Sequence, residues 1–124
     1  MSVGRLVRHA AFYVKTVLPL RHVLTRARCA FYSNPSLSYT IGLSRHGLPE
    51  LCFDGPDAQR AFAVLDELQR RQFAHGAFEP GYVTQVGDVW VRLDVLDDPE
   101  DLPLVGLVLR LDPGTFSALR VVAL

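Results

Sequence analysis

The chain has 124 residues, of which 49% are hydrophobic and 21% are charged. This length and composition fit one folded domain with a single core and exclude a disordered chain. The 13 Lys and Arg balance the 13 Asp and Glu, and no apolar run approaches the roughly 20 residues that span a bilayer.

The charges are distributed unevenly along the chain. Residues 1–49 carry seven Lys or Arg and no acidic residue, whereas residues 50–124 carry six Lys or Arg and all 13 Asp and Glu. We expect pairing within the domain or between copies of it. Without such pairing, the basic half attracts nucleic acid or anionic lipid. The candidate basic surface consists of Arg5, Arg8, Lys15, Arg26 and Arg28.

The N-terminal residues 1–19 show the spacing of a basic amphipathic helix. Apolar residues recur at i, i+3, i+4 and i+7 from Val3 to Leu18, and Pro19 is expected to end the helix. The opposite side is basic and includes Phe12. We expect that side to be solvated. A helix that lies on a membrane or grips phosphate is the alternative.

Three strands are predicted next, joined by short links that favour an antiparallel meander. Alternation from Val23 to Phe31 predicts a half-buried strand with a basic outer face. Leu37–Leu43 is rich in residues that favour strands, and Leu48–Phe53 is short and mostly apolar.

The strongest helix signal begins at Asp57. This residue is a good N-cap, apolar residues recur with helical spacing as far as Phe73, and Gly76 is expected to end the helix.

The last third of the chain predicts mainly strands. Residues 82–96 predict a hairpin that bends at Gly87-Asp88. Residues 102–111 fit a short helix or a buried strand equally well, and residues 116–124 predict a closing strand. The sequence therefore predicts an α+β domain, with a mostly antiparallel sheet of about five strands and two helices packed on it.

The two cysteines, Cys29 and Cys52, lie in apolar, strand-like runs that are typical of buried free thiols. A disulfide between them stays open as an alternative. Because no secretion signal is recognisable, we expect a cytoplasmic location.

Four segments together resemble the bacterial family called domain of unknown function 4262. They are residues 39–43 (YTIGL), 49–51 (PEL), 78–81 (FEPG) and 118–122 (ALRVV). The similarity covers about residues 36–124 in the right order, and it identifies this part as a family-like α+β core. The family has no established activity, so the resemblance implies a fold and little chemistry.

The chain departs from the family pattern at two places. It has Leu48 where the family tends to place a histidine, with His46 two positions earlier. It stops at Leu124, where the family usually continues into a tryptophan-proline-aspartate tail. An activity that needs that histidine or that tail is therefore not expected here.

The side chains most able to do chemistry lie around the predicted second turn. Glu50 is expected to pair with a basic residue of the N-terminal half. A zinc site that uses His46, Glu50 and Cys52 is disfavoured, because no C-x-x-C or H-x-x-x-H spacing occurs. Glycine motifs that bind phosphate are absent from the sequence, and no cofactor, metal ligand or catalytic residue is assigned. The ligand-binding candidates are Tyr39, Thr40, His46 and Glu50.

The sequence thus favours a noncatalytic binding or protein-interaction domain, which self-associates or binds an acidic protein partner. One alternative is a small hydrolase or ligand-binding enzyme that uses the His46–Glu50 turn. The other is nucleic-acid binding through the basic N-terminal half.

Overall fold

A computed structural model describes residues 11–124 of the chain. These residues form an α+β fold around one mixed, mostly antiparallel sheet. The strands are β1 (Ala30–Ser33), β2 (Leu37–Ile41), β3 (Glu50–Asp54), β4 (Val83–Val86), β5 (Val89–Val95) and β6 (Ala118–Ala123). The α-helices are α1 (Leu18–Leu24), α2 (Ala58–His75) and α3 (Pro103–Leu109).

The sheet has the strand order β1-β2-β3-β6-β5-β4. The pair β3–β6 is parallel, and the other four neighbouring pairs are antiparallel. The last strand therefore lies in the middle of the sheet, between the early meander and the later hairpin.

The sheet carries helices on both faces because strand residues alternate between two apolar clusters. Tyr39, Ile41 and Cys52 belong to the cluster that α1 and α3 cover. Leu51 and Leu93 belong to the cluster that α2 covers. The helices thus complete a three-layer domain.

The sheet has six strands within the described residues, rather than the predicted number of about five. Both arms of the predicted hairpin join it as β4 and β5, and their bend lies at Gly87-Asp88 as predicted. The fold also has a third helix, because residues 102–111, which the sequence left open, form α3.

The predicted strand from Val23 to Phe31 is wrong for most of its length. Residues Leu18–Leu24 are helical and residues 25–29 form a loop. Within the predicted segment, only Ala30 and Phe31 belong to a strand, β1. Val17 and Leu24, seven positions apart, are both buried in one cluster. The helical period of the apolar residues therefore outweighs the alternation that suggested a strand.

The predicted N-terminal helix lies largely outside the described residues, because residues 1–10 are not among them. Residues 11–24 are helical, and Pro19 lies in the first turn of α1 rather than ending the preceding helix. A π-helical turn at Tyr13–Val17 comes directly before it. A π-turn adds about one residue per turn and shifts the register of the faces. This shift explains why Val14 and Leu18, which the helical spacing placed on the buried face, are exposed.

The prediction for α2 is confirmed in its limits and its cap. The Asp57 carboxylate accepts the backbone N–H of Arg60 at 3.0 Å, and the helix ends at His75 before Gly76. The buried Gln72 of this helix donates to the carbonyl of Pro49 at 3.0 Å. This bond ties α2 to the residue that precedes β3.

Candidate functional site

The strands β2 and β3 separate at the end where the candidate residues lie. Their paired positions stop at Tyr39–Cys52, so the next pair, Thr40 and Leu51, lacks a regular backbone rung. The Leu51 N–H instead donates to the Thr40 hydroxyl at 2.9 Å. The gap admits the side chain of Glu50, which has no exposed surface.

The carboxylate of Glu50 accepts hydrogen bonds from both strand and turn. The Thr40 hydroxyl donates to its Oε1 at 2.9 Å. The backbone N–H groups of Gly42, Leu43 and Ser44 donate at 3.2, 3.1 and 3.0 Å, and the Ser44 hydroxyl donates as well. These three N–H groups stand at the start of a 3-10 turn, Leu43–His46, where donors are otherwise unpaired. We call Thr40, Gly42, Leu43, Ser44 and Glu50 the carboxylate cradle.

Burial and hydrogen bonding act on Glu50 in opposite directions. Removal from water raises its pKa, and the hydrogen bonds from Ser44, Thr40 and Gly42 lower it. The net result is a pKa above the ordinary value for glutamate. The predicted ion pair is wrong, because no lysine or arginine among residues 11–124 pairs with Glu50.

The side chain of Tyr39 points to the opposite face of the sheet from that of its neighbour Thr40. It is buried in the cluster under α3, and its hydroxyl accepts the N–H of Leu104 at 3.3 Å. Burial raises its pKa. Tyr39 therefore positions α3 against β2 and does not share a space with Glu50.

His46 is exposed at the end of the 3-10 turn, and its ring packs edge to face on Phe73 of α2, with centroids 5.1 Å apart. The guanidinium of Arg28 lies over the same phenylalanine ring, 4.1 Å from its centroid. Phe73 therefore holds a cation and an imidazole side by side at the surface.

These two side chains belong to an open cationic groove of about 380 Å³. One wall is the loop that joins α1 to β1, and the other is the 3-10 turn. No acidic side chain of residues 11–124 lines it. The lining residues are Leu24, Thr25, Arg26, Ala27, Arg28, Arg45 and His46.

Arg45 fastens the two walls together. Its guanidinium reaches the carbonyl oxygens of Leu24 at 3.4 Å and Ala27 at 3.4 Å, across the end of α1. Gly42 lets the walls approach, because a Cβ there would lie 2.6 Å from the Arg28 carbonyl oxygen. Its φ of 127° also favours glycine.

A second basic groove of about 320 Å³ adjoins the first and shares Leu24, Thr25 and Arg45 with it. It also contains Arg21 and the exposed Arg110. Arg21 donates to the carbonyls of Leu107 and Val108 at 3.0 and 3.1 Å, and so stabilises the end of α3.

The positive charges of the cationic groove are not neutralised within the described part of the chain. The four ion pairs found there are Arg70–Asp66, Arg71–Glu67, Arg92–Asp94 and Arg120–Asp54. Every one lies within residues 50–124, and none uses an arginine of the groove. The pairing within the domain that the charge distribution suggested is therefore absent from residues 11–124.

The sequence candidates are thus divided between two places. Thr40 and Glu50 meet in the cradle, whereas His46, Arg26 and Arg28 line the groove. Lys15 lies exposed on the N-terminal helical segment, and Arg5 and Arg8 fall outside the described residues.

Sequence reasoning missed three contributors to these sites. Arg45 and Ser44 lie in the predicted turn, where their polar side chains gave no sign of a partner. Phe73 was assigned to the core face of α2, and its spacing gave no sign that the ring edge would reach His46. Arg45 and Phe73 contact residues distant in sequence, whereas Ser44 turns inward to Glu50, six positions further along the chain.

Both cysteines are free thiols. Burial raises the pKa of the half-buried Cys29 and that of the buried Cys52 to about 12. Among residues 11–124, no three His, Cys, Asp or Glu side chains are grouped so that they could hold a metal ion. No helix in this part of the chain is long and apolar enough to cross a bilayer.

The fold and the groove define a small α+β domain with a basic open surface. Residues 19–124 match the model of the family described as Domain of unknown function (DUF4262), and the chain belongs to that family. No curated protein and no solved structure matches the chain.

Proposed function

We propose that this protein is a noncatalytic binding domain, which holds an anionic group of its partner in the cationic groove. The observation that carries the proposal is the set of groove arginines, Arg26, Arg28 and Arg45, which have no carboxylate partner among the described residues. Arginine suits carboxylate and phosphate equally, because its planar fork can donate two parallel hydrogen bonds.

The cradle supports binding rather than catalysis. The Glu50 carboxylate is fully buried and its oxygens already accept five hydrogen bonds. A general base must reach the proton that it abstracts. His46 lies at the surface on Phe73, in a groove that contains none of Tyr39, Thr40 and Glu50. These placements argue against a hydrolase that uses the His46–Glu50 turn.

An acidic protein surface fits the groove as a partner, and a second copy of this chain offers one. The exposed residues Asp97, Asp98, Glu100 and Asp101 follow β5 and carry no ion pair within the described part of the chain. Docking of this segment in the groove of another copy would balance the two halves of the charge distribution.

Nucleic-acid binding is the second candidate. It is favoured by the second basic groove, because an extended phosphate backbone could continue past Arg45 towards Arg110. The two free thiols accord with the reducing cytoplasm, which we propose as the location.

The test is a titration of the isotope-labelled protein with tripolyphosphate, the acidic peptide DDPED and a single-stranded oligonucleotide, followed by NMR. We expect the signals of residues 24–28 and 45–46 to shift with at least one of them. Arg26→Gln should weaken that binding about tenfold, the loss expected for one charge-assisted hydrogen bond. Arg60→Gln, the same change outside the groove, should have little effect.

Failure of all three probes to shift those signals would refute the proposal. The probe that binds most tightly at equal ionic strength discriminates between a protein partner and a nucleic acid. Sedimentation at several concentrations tests the second-copy form, and a monomer at every concentration would exclude it.

A further inference from the structure

We propose that Glu50 is the positioning residue of the cationic groove: its buried carboxylate sets the place of the turn that carries Arg45 and His46. The inference rests on the proposed function and adds the residue that controls the binding geometry. Glu50 itself lies too deep to touch a ligand, because none of its surface is exposed. It acts through the backbone of the turn.

The first step of the argument is that Glu50 belongs to the centre of the fold. It is the first residue of β3, its N–H donates to the Ser117 carbonyl at 2.9 Å, and it pairs with Ala118 of β6. Gln72 holds the preceding Pro49 from α2. The carboxylate therefore starts from a backbone that three elements fix.

The second step is that the turn depends on this carboxylate for its orientation. Three backbone bonds that close the turn lie at the upper end of the normal range: Arg45 N–H to Gly42 O, Gly47 N–H to Ser44 O and Leu48 N–H to Leu43 O are all 3.2 Å. The Glu50 carboxylate accepts three further bonds from the backbone N–H groups of the turn and one from the Ser44 hydroxyl. The carboxylate is thus the main polar attachment of the turn to the sheet.

The third step connects the turn to the groove. Arg45 and His46 follow Ser44 directly, so a rotation of the turn moves both side chains. Arg45 also holds Leu24 and Ala27 of the opposite wall, and such a rotation would release that wall. A ligand that needs both walls would then lose affinity without any change in its own contacts with Arg26.

The test replaces the carboxylate by an amide of equal size. In Glu50→Gln, an NH₂ group replaces one carboxylate oxygen and faces hydrogen-bond donors that it cannot accept from. The probe is whichever of tripolyphosphate, DDPED peptide or oligonucleotide the wild-type protein binds. We expect binding to weaken about tenfold, and the NMR signals of Arg45 and His46 to shift in the free protein. Glu67→Gln, the same change at a surface ion pair of α2, should leave both unchanged.

Ser44→Ala provides a milder variant that keeps the carboxylate and all three backbone donors. It should weaken binding less than Glu50→Gln, in the same direction, and serves if the amide variant fails to fold. If a folded variant of this pair binds with wild-type affinity and its Arg45 and His46 signals do not shift, the inference about Glu50 is overturned. The proposed function would then still stand. Failure of the wild-type protein to bind any probe would overturn the proposed function and this inference with it.

Discussion

The Thr40 hydroxyl donates to Glu50 Oε1 at 2.9 Å and accepts the N–H of Leu51, also at 2.9 Å. Thr40 thereby replaces the backbone rung that β2 and β3 lack at this point, and it connects that rung to the buried carboxylate. The missing rung between β2 and β3 and the carboxylate cradle therefore share the Thr40 hydroxyl. A change at either one should affect the other.

Replacement of Thr40 by valine tests this connection, because valine keeps the shape and removes the hydroxyl. The Leu51 N–H would then lack its partner inside the protein, and Glu50 Oε1 would keep only the hydrogen bond from the Leu43 N–H. We expect the free energy of unfolding to fall by about 2 kcal/mol in chemical denaturation. Thr115→Val, at an exposed hydroxyl, should change it by no more than about 0.5 kcal/mol. Equal effects of the two changes would contradict the role of Thr40.

The raised pKa of Glu50 predicts how stability depends on pH. A carboxyl whose pKa is higher in the folded protein than its ordinary 4.5 binds its proton more tightly when folded. Its stabilising contribution is therefore complete below pH 4.5 and is lost as the pH rises through the folded pKa. Denaturation curves of the wild type at increasing pH should show this loss, and Glu50→Gln should lack it. Parallel pH profiles for the two proteins would contradict the prediction.

Gly42 and Gly47 form a matched pair of glycines, because both have positive φ values but only Gly42 is crowded. A Cβ at Gly42 would lie 2.6 Å from the Arg28 carbonyl oxygen, whereas nothing lies within 4 Å of a Cβ at Gly47. Gly47→Ala should cost about 1 kcal/mol of unfolding free energy, from backbone strain alone. Gly42→Ala should cost at least about 3 kcal/mol, because a backbone atom must move as well. A cost at Gly42 no larger than that at Gly47 would show that the groove walls are not in close contact.

The thiols of Cys29 and Cys52 should be unreactive in the folded protein. Burial raises the pKa of each to about 12, so very little thiolate exists at about pH 8. Alkylation with iodoacetamide, followed by mass spectrometry, should modify neither cysteine in the native state and both after denaturation. Rapid modification of native Cys52 would place it at the surface and contradict its burial.

The sequence predicted those elements whose apolar residues recur with a regular spacing and whose ends are marked by a capping or turn residue. For α2, Asp57 supplies the cap and Gly76 the end, and both are local signals. For β4 and β5, the Gly87-Asp88 bend fixes the pairing. The same local rules failed from Val23 to Cys29, where the apolar residues fit both the helical spacing and the alternation of a strand. Burial of Val17 and Leu24 in the same cluster as Leu104 of α3, a tertiary arrangement, selected the helix.

The candidate site was predictable only in part. Thr40 and Glu50 were singled out as neighbours of one turn, and they do meet. The partner expected for Glu50 was a cation, because a surface carboxylate usually faces one. Burial reversed that expectation, since backbone N–H groups at the start of a turn can satisfy a carboxylate. The groove forms because Arg45 contacts backbone carbonyls at the end of α1. No sequence pattern predicts that contact.

The position of β6 between β3 and β5 has a consequence for the order in which the protein is made. Until residues 118–123 have left the ribosome, β1–β2–β3 and β4–β5 have no strand to join them, and the sheet exists only as two separate pieces. The parallel pairing of Glu50 with Ala118 spans most of the chain and closes late. Until β6 is in place, β3 and β5 each present an unpaired edge, which is a template for pairing with a strand of another chain.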